Sequence, residues 1–179
     1  MKNIYRNALM CAVLLTIACS GASELTNKNT PATNALYPSW YGAYEFSSDT
    51  SGFYARATAV SSDSETAKLR AEKEARALLE SYIAKELEDV RSELERDGSN
   101  IVKEPNFILM LRNAHYKIEE QATIKQSESV MKEGTYRGFA RVEIGKQEVK
   151  KLIESGLSSN NRYQREFTES AGFADFIKQ

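Results

Sequence analysis

From Gly52 to Val60 apolar and polar positions alternate, with Phe53, Ala55, Ala57 and Ala59 on one side and Tyr54, Arg56, Thr58 and Val60 on the other. Successive side chains of a strand point to opposite faces, so this segment predicts a strand with one small, apolar face. The period then lengthens. Ser62 and Glu65 have the spacing of a capping box. Behind them Ala67, Ala71, Ala75, Leu78, Leu79, Tyr82, Ile83, Leu87, Val90 and Leu94 recur every three or four residues, predicting a helix of about 30 residues that Asp97-Gly98 closes. Opposite charges four residues apart, such as Arg70/Glu74, Lys68/Glu72, Lys85/Asp89 and Arg91/Glu95, mark its solvated side.

Pro105 is placed as a first helical residue, and Phe107, Leu111, Ala114, Ile118 and Ala122 carry a second helix to about Gln121. Alternation returns in Ile124, Gln126, Glu128 and Val130 and again in Tyr136, Gly138, Ala140, Val142 and Ile144. The turn Lys132-Glu133-Gly134-Thr135 between them makes a hairpin. Its first strand is polar on both faces, as an edge strand is. Lys146 to Ser155 predicts a short helix stopped by Gly156, and Phe167, Phe173 and Phe176 in the tail are placed to dock back on the body. The fold class is therefore α+β: a single domain over residues 37–179, with a small antiparallel or mixed sheet of about three strands on a long alanine-rich helix, and further helices. So long a helix is expected to overhang the sheet, where its last turns could meet a second molecule.

The N-terminus follows another rule. Met1 to Asn7 carries Lys2 and Arg6 without an acid, and Ala8 to Ala18 is almost unbroken apolar sequence. That run, at 1.5 Å per residue, is too short to cross a hydrocarbon layer of roughly 30 Å, so it reads as an export signal over residues 1–18. Thr16-Ile17-Ala18-Cys19 resembles the bacterial lipobox, with Thr16 where Leu is usual and Leu15 one place early. The resemblance implies diacylation of Cys19, which becomes the first residue, and Ser20 after it fits passage to the outer membrane. The alternative is cleavage after Ala22, leaving a soluble periplasmic protein. Residues 19–36 are rich in Ser, Thr, Asn and Ala and read as a lipidated N-terminus and flexible tether with a reach of about 20–25 Å.

Composition narrows the classes. The 179 residues are 41% hydrophobic and 27% charged, with a net charge of −1, which excludes global disorder and argues against binding nucleic acid through phosphates. Removing the signal takes Lys2, Arg6 and Cys11 with it, so the net charge becomes −3 and Cys19 has no thiol to pair with. The chain carries no phosphate-binding glycine loop and no G-x-S-x-G elbow, and its one histidine, His115, has no Cys and no second His at metal-ligand spacing. An enzyme, a cofactor and a metal site are not expected. The sequence from Tyr37 to Phe46 gathers the single Trp with several Tyr. Trp40, Tyr41, Tyr44 and Phe46 read either as a strap buried on the domain or as a contact surface for a partner or ligand.

Several of these segments together resemble a known family. Pro38-Ser39-Trp40, the strand, Ala71-Glu72-Lys73-Glu74-Ala75-Arg76 in the helix behind it, and Tyr136-Arg137-Gly138-Phe139-Ala140-Arg141-Val142 before a further helix resemble the bacterial LPP-twenty lipoproteins and related domains of flagellar outer-membrane ring proteins. The resemblance covers roughly Pro38 to Ile153. It implies a lipid-anchored outer-membrane protein without catalytic residues, in a structural or assembly role, with self-association or an envelope or flagellar protein as partner. A periplasmic module binding an apolar ligand or a peptide, its groove lined by the four aromatic residues, is the alternative.

Overall fold

The computed structural model describes residues 37–179. The expected signal segment 1–18 and the expected lipidated N-terminus and tether 19–36, with Cys19, lie outside the described residues. The elements are β1 (Phe46–Ser48), β2 (Gly52–Ser61), α1 (Ser64–Arg96), a 3-10 turn (Ile101–Lys103), α2 (Pro105–Gln121), β3 (Thr123–Lys132), β4 (Thr135–Gly145), α3 (Lys146–Leu157), α4 (Asn161–Thr168) and α5 (Ala171–Lys178). The sheet has four strands in the order β1-β2-β4-β3, all antiparallel, one more than the periodicity predicts. β1 is three residues long, too short to show a period. β3 is an edge strand, in keeping with its polar faces.

Alternation in β2 holds as read: Phe53, Ala55 and Ala57 are buried under α1, whose inner stripe is Ala67, Ala71, Ala75, Leu79, Ile83, Leu87, Val90 and Leu94. Alanine on both surfaces lets helix and sheet approach closely, and Gly138 of β4 shows how closely. A Cβ there would stand 2.1 Å from the Ala67 carbonyl oxygen. The helix starts one residue later than the Ser62/Glu65 spacing suggests, because Asp63 takes the cap position and accepts from the Thr66 amide at 2.7 Å. Asp97 ends it, with Gly98 at φ +87°. Of the charge pairs four apart, Lys85–Asp89 closes at 2.8 Å and Arg91–Glu95 at 3.9 Å. Lys68 instead bridges Glu65, and Arg76 donates to the Ala122 carbonyl.

The predicted overhang of α1 is not bare. Val90 and Leu94 join one core with Ile101, Val102, Phe107, Phe167 and Phe173, so the 3-10 turn, α2, α4 and α5 cover the far end of the long helix. Gly156 also departs from its predicted role as a stop: α3 runs through it to Leu157. A Cβ at Gly156 would meet the Ala114 Cβ at 2.5 Å, so this glycine sets the approach of α3 to α2. The hairpin turn is as read, with Glu133 at φ 50° and Gly134 at φ 79°, the left-handed pair of a two-residue connection.

The β1–β2 turn is organised by one carboxylate. Asp49 accepts from the Ser51 amide and hydroxyl, both at 2.7 Å, the Tyr54 hydroxyl at 3.0 Å and the Gly52 amide at 3.1 Å. These bonds, that from Ser51 first, hold its carboxyl well below the usual carboxylate range. A depressed folded value means stability that is present above the unfolded value of about 3.9 and lost as pH falls through the folded one. Asp49→Ala should therefore lower Tm at neutral pH, by an amount that shrinks in acid. A difference constant with pH would remove the carboxylate from the account.

Candidate functional site

The aromatic segment resolves into parts on both faces of the sheet. Phe46 lies on the α1 side, where its ring stacks on Tyr82 with centroids 3.4 Å apart. Burial and then the Glu86 carboxylate push the Tyr82 phenol up to about 12, so it stays protonated and donates to the Gln179 side chain at 3.1 Å. Trp40 and Tyr41 lie on the outer face. Tyr41 meets the fully buried Phe139 edge-on at 5.1 Å, and Tyr37 meets the same ring at 5.4 Å. Trp40 packs against Tyr41 and donates its indole N–H to Glu128 at 2.6 Å. Tyr44 is 69% exposed, and only its main-chain carbonyl is used, by Arg56. The four candidate residues therefore do not line one groove: Trp40 and Tyr41 act together as a strap, Phe46 is spent on packing, and Tyr44 projects to solvent.

Under the strap the outer face is basic. Arg56 and Arg141 are direct partners in the β2–β4 register, and Gln126 is the partner of Arg141 on β3. Burial, then the neighbouring Arg141 charge, lowers the affinity of Arg56 for its proton. Its guanidinium bonds the Ser47 hydroxyl at 3.0 Å and the Tyr44 carbonyl at 3.3 Å, while Arg141 lies over the Tyr54 ring at 4.5 Å. The like charges are held apart by these neutral partners and by Glu143, whose carboxylate lies 3.9 Å from Arg141. No periodicity signals such a pair; only the register of two strands about 85 positions apart brings it together.

Beside the strap a groove of about 620 Å³ runs along the edge of β2. Tyr41 and Glu45 form one wall; Arg70, Lys73, Glu74 and Leu78 of α1 form the other. Burial, followed by Glu45, raises the Tyr41 phenol. A second groove of about 390 Å³ lies between α1 and α2, lined by Leu87, Ile108, Leu111, Arg112 and His115 among others. His115 is half-buried, with Nε2 3.3 Å from the Glu80 carbonyl oxygen. Among the described residues no three His, Cys, Asp or Glu side chains converge as a metal site requires, and no helix is long and apolar enough to cross a membrane. Comparison with protein-family models, curated proteins and solved structures finds no match for the chain.

Proposed function

We propose that this chain is a bacterial envelope lipoprotein, anchored in the outer membrane through Cys19 and carrying residues 37–179 as a non-enzymatic assembly module of the LPP-twenty type. The observation that carries the reading is the apolar run Ala8 to Ala18 ending at Thr16-Ile17-Ala18-Cys19 with Ser20 behind it. The α+β domain with its long alanine-rich helix is the architecture that the resemblance implies, which supports the reading further. At about 0.8 kcal/mol per buried methylene, one acyl chain binds a membrane reversibly and two or more hold it firmly, so lipidation alone would fix the protein there.

Intact-mass analysis of the membrane-extracted protein tests the anchor. The expected N-terminal peptide starts at Cys19 and carries the mass of its acyl chains. Cys19→Ala should move nearly all of the protein into the soluble fraction. An unmodified chain starting near Ser23 overturns the anchor and leaves a soluble periplasmic protein.

A further inference from the structure

The edge of β2 is only partly covered. β1 pairs with Phe53, Tyr54 and Ala55, and the Arg56 amide donates to the Glu45 carbonyl at 2.6 Å. The chain on the N-terminal side of Glu45 then turns away, since Tyr41 and Trp40 cross to Phe139 and Glu128. β2 continues to Ser61. The period of two that sends the Arg56 amide towards β1 sends the main-chain N–H and C=O of Thr58 and Val60 the same way, to a side where no described strand pairs with them. Among the described residues the only hydrogen bond reaching this stretch from outside is that of Arg70 Nη1 with the Val60 carbonyl, at a long 3.5 Å. Val60 itself is 49% exposed.

This open edge is the floor of the 620 Å³ groove, and its walls decide what fits. Ala57 and Ala59 leave room on the α1 side, and Leu78 is partly buried with the core beneath. The charges are ordered along the length. Arg70 marks the Val60 end and Glu45 the Arg56 end, with Lys73 and Glu74 lining the same wall as Arg70. Among the described residues neither Arg70 nor Lys73 is in an ion pair. Unmet main-chain donors and acceptors along a strand edge are satisfied by another strand, and the unpaired cations Arg70 and Lys73, which outnumber Glu74 on their wall, by an acid.

We infer that the groove between β2 and α1 is a strand-addition site. It takes an extended segment of a partner protein, laid antiparallel to β2 in line with β1, with an acidic residue at its N-terminal end against Arg70 and Lys73. The incoming amides bond Thr58 and Val60, and the carboxylate takes over the Arg70 guanidinium from the Val60 carbonyl. The inference rests on the assembly reading for where the partner is met and supplies the chemistry of that partner. Its failure leaves the mass of the Cys19 peptide unaffected, so the two can fail separately.

The probes are short acetylated peptides of alternating Val and Thr with Glu, Lys or Thr at the N-terminal position. They are fluorescently labelled and titrated against the full chain in detergent micelles. The Glu peptide is expected to bind about tenfold more tightly than the Lys peptide, and Arg70→Glu with Lys73→Glu should reverse that order. N-methylation of the peptide amides that face β2 should abolish binding without touching the protein, and hydrogen exchange should slow at Thr58 and Val60. Four outcomes overturn the proposal: no peptide binds, the Lys and Glu peptides bind alike, the methylated peptide binds as well as its parent, or protection falls on the outer edge of β3.

Discussion

Gly138→Ala should destabilise the domain by at least about 3 kcal/mol, the upper part of the range for overfilled cores, and lower Tm by roughly 10 °C. The added methyl carbon would sit 2.1 Å from the Ala67 carbonyl oxygen, 2.3 Å from its carbon and 2.6 Å from the Lys68 amide nitrogen. Every one of these atoms is main chain in the first turns of α1, so no side chain can swing aside. The helix must lift off the sheet, and the inner stripe from Ala67 to Ala75 lifts with it. Because native domains are stable by only about 5–15 kcal/mol, Gly138→Val should yield little folded protein. Thermal melts of the two variants beside Gly134→Ala make the check, since Gly134 has open space around it and positive φ alone to explain its cost. Equal losses at 134 and 138 would mean that the close approach is not what requires Gly138.

Phe53→Ala should cost about 3–5 kcal/mol, and part of that loss should be traceable to a charge. The Phe53 ring is fully buried, stacked at 5.0 Å on Phe176 and near Tyr82 and Phe46 at 6.3 and 6.5 Å. The Lys146 ammonium lies 5.5 Å from its centroid. Lys146 is only 3% exposed and its Nζ has no hydrogen-bond partner among the described residues. The ring face is then the main compensation for a buried cation. Removing it leaves the ammonium facing a cavity, whereas Lys146→Met removes the charge and keeps the volume. In urea titrations the double variant should be more stable than the sum of the two single changes by about 1 kcal/mol, with m unchanged. Strict additivity would show that Lys146 draws nothing from the ring.

What could be read in the sequence is what has a period. The alternation Phe53 to Ala59 and the three-and-four stripe from Ala67 to Leu94 locate β2 and α1 because each repeats often enough to be recognised. Elements without a repeat were beyond it, and β1 is the example: three residues defined by their partners, not by their own pattern. Gly156 misleads for a related reason. A glycine near a helix end serves equally as a stop or as a point of contact, and only the position of Ala114 distinguishes them. At the candidate site, composition announces that Trp40 and Tyr41 seek burial, and both are half-buried, yet it cannot say on which face. The open main chain of Thr58 and Val60 leaves no trace in side-chain identity at all.

Phe176 closes against Phe53 from the last helix of the chain, and Gln179 then ties Tyr82 and the Ser48 hydroxyl to the terminus. Phe53 and Phe176 stand more than a hundred positions apart, so this closure of β2 carries the entropy of a long loop. A contact so distant in sequence forms only once the chain between has been gathered in, which ties the aromatic side of β2 to the folding of the whole domain.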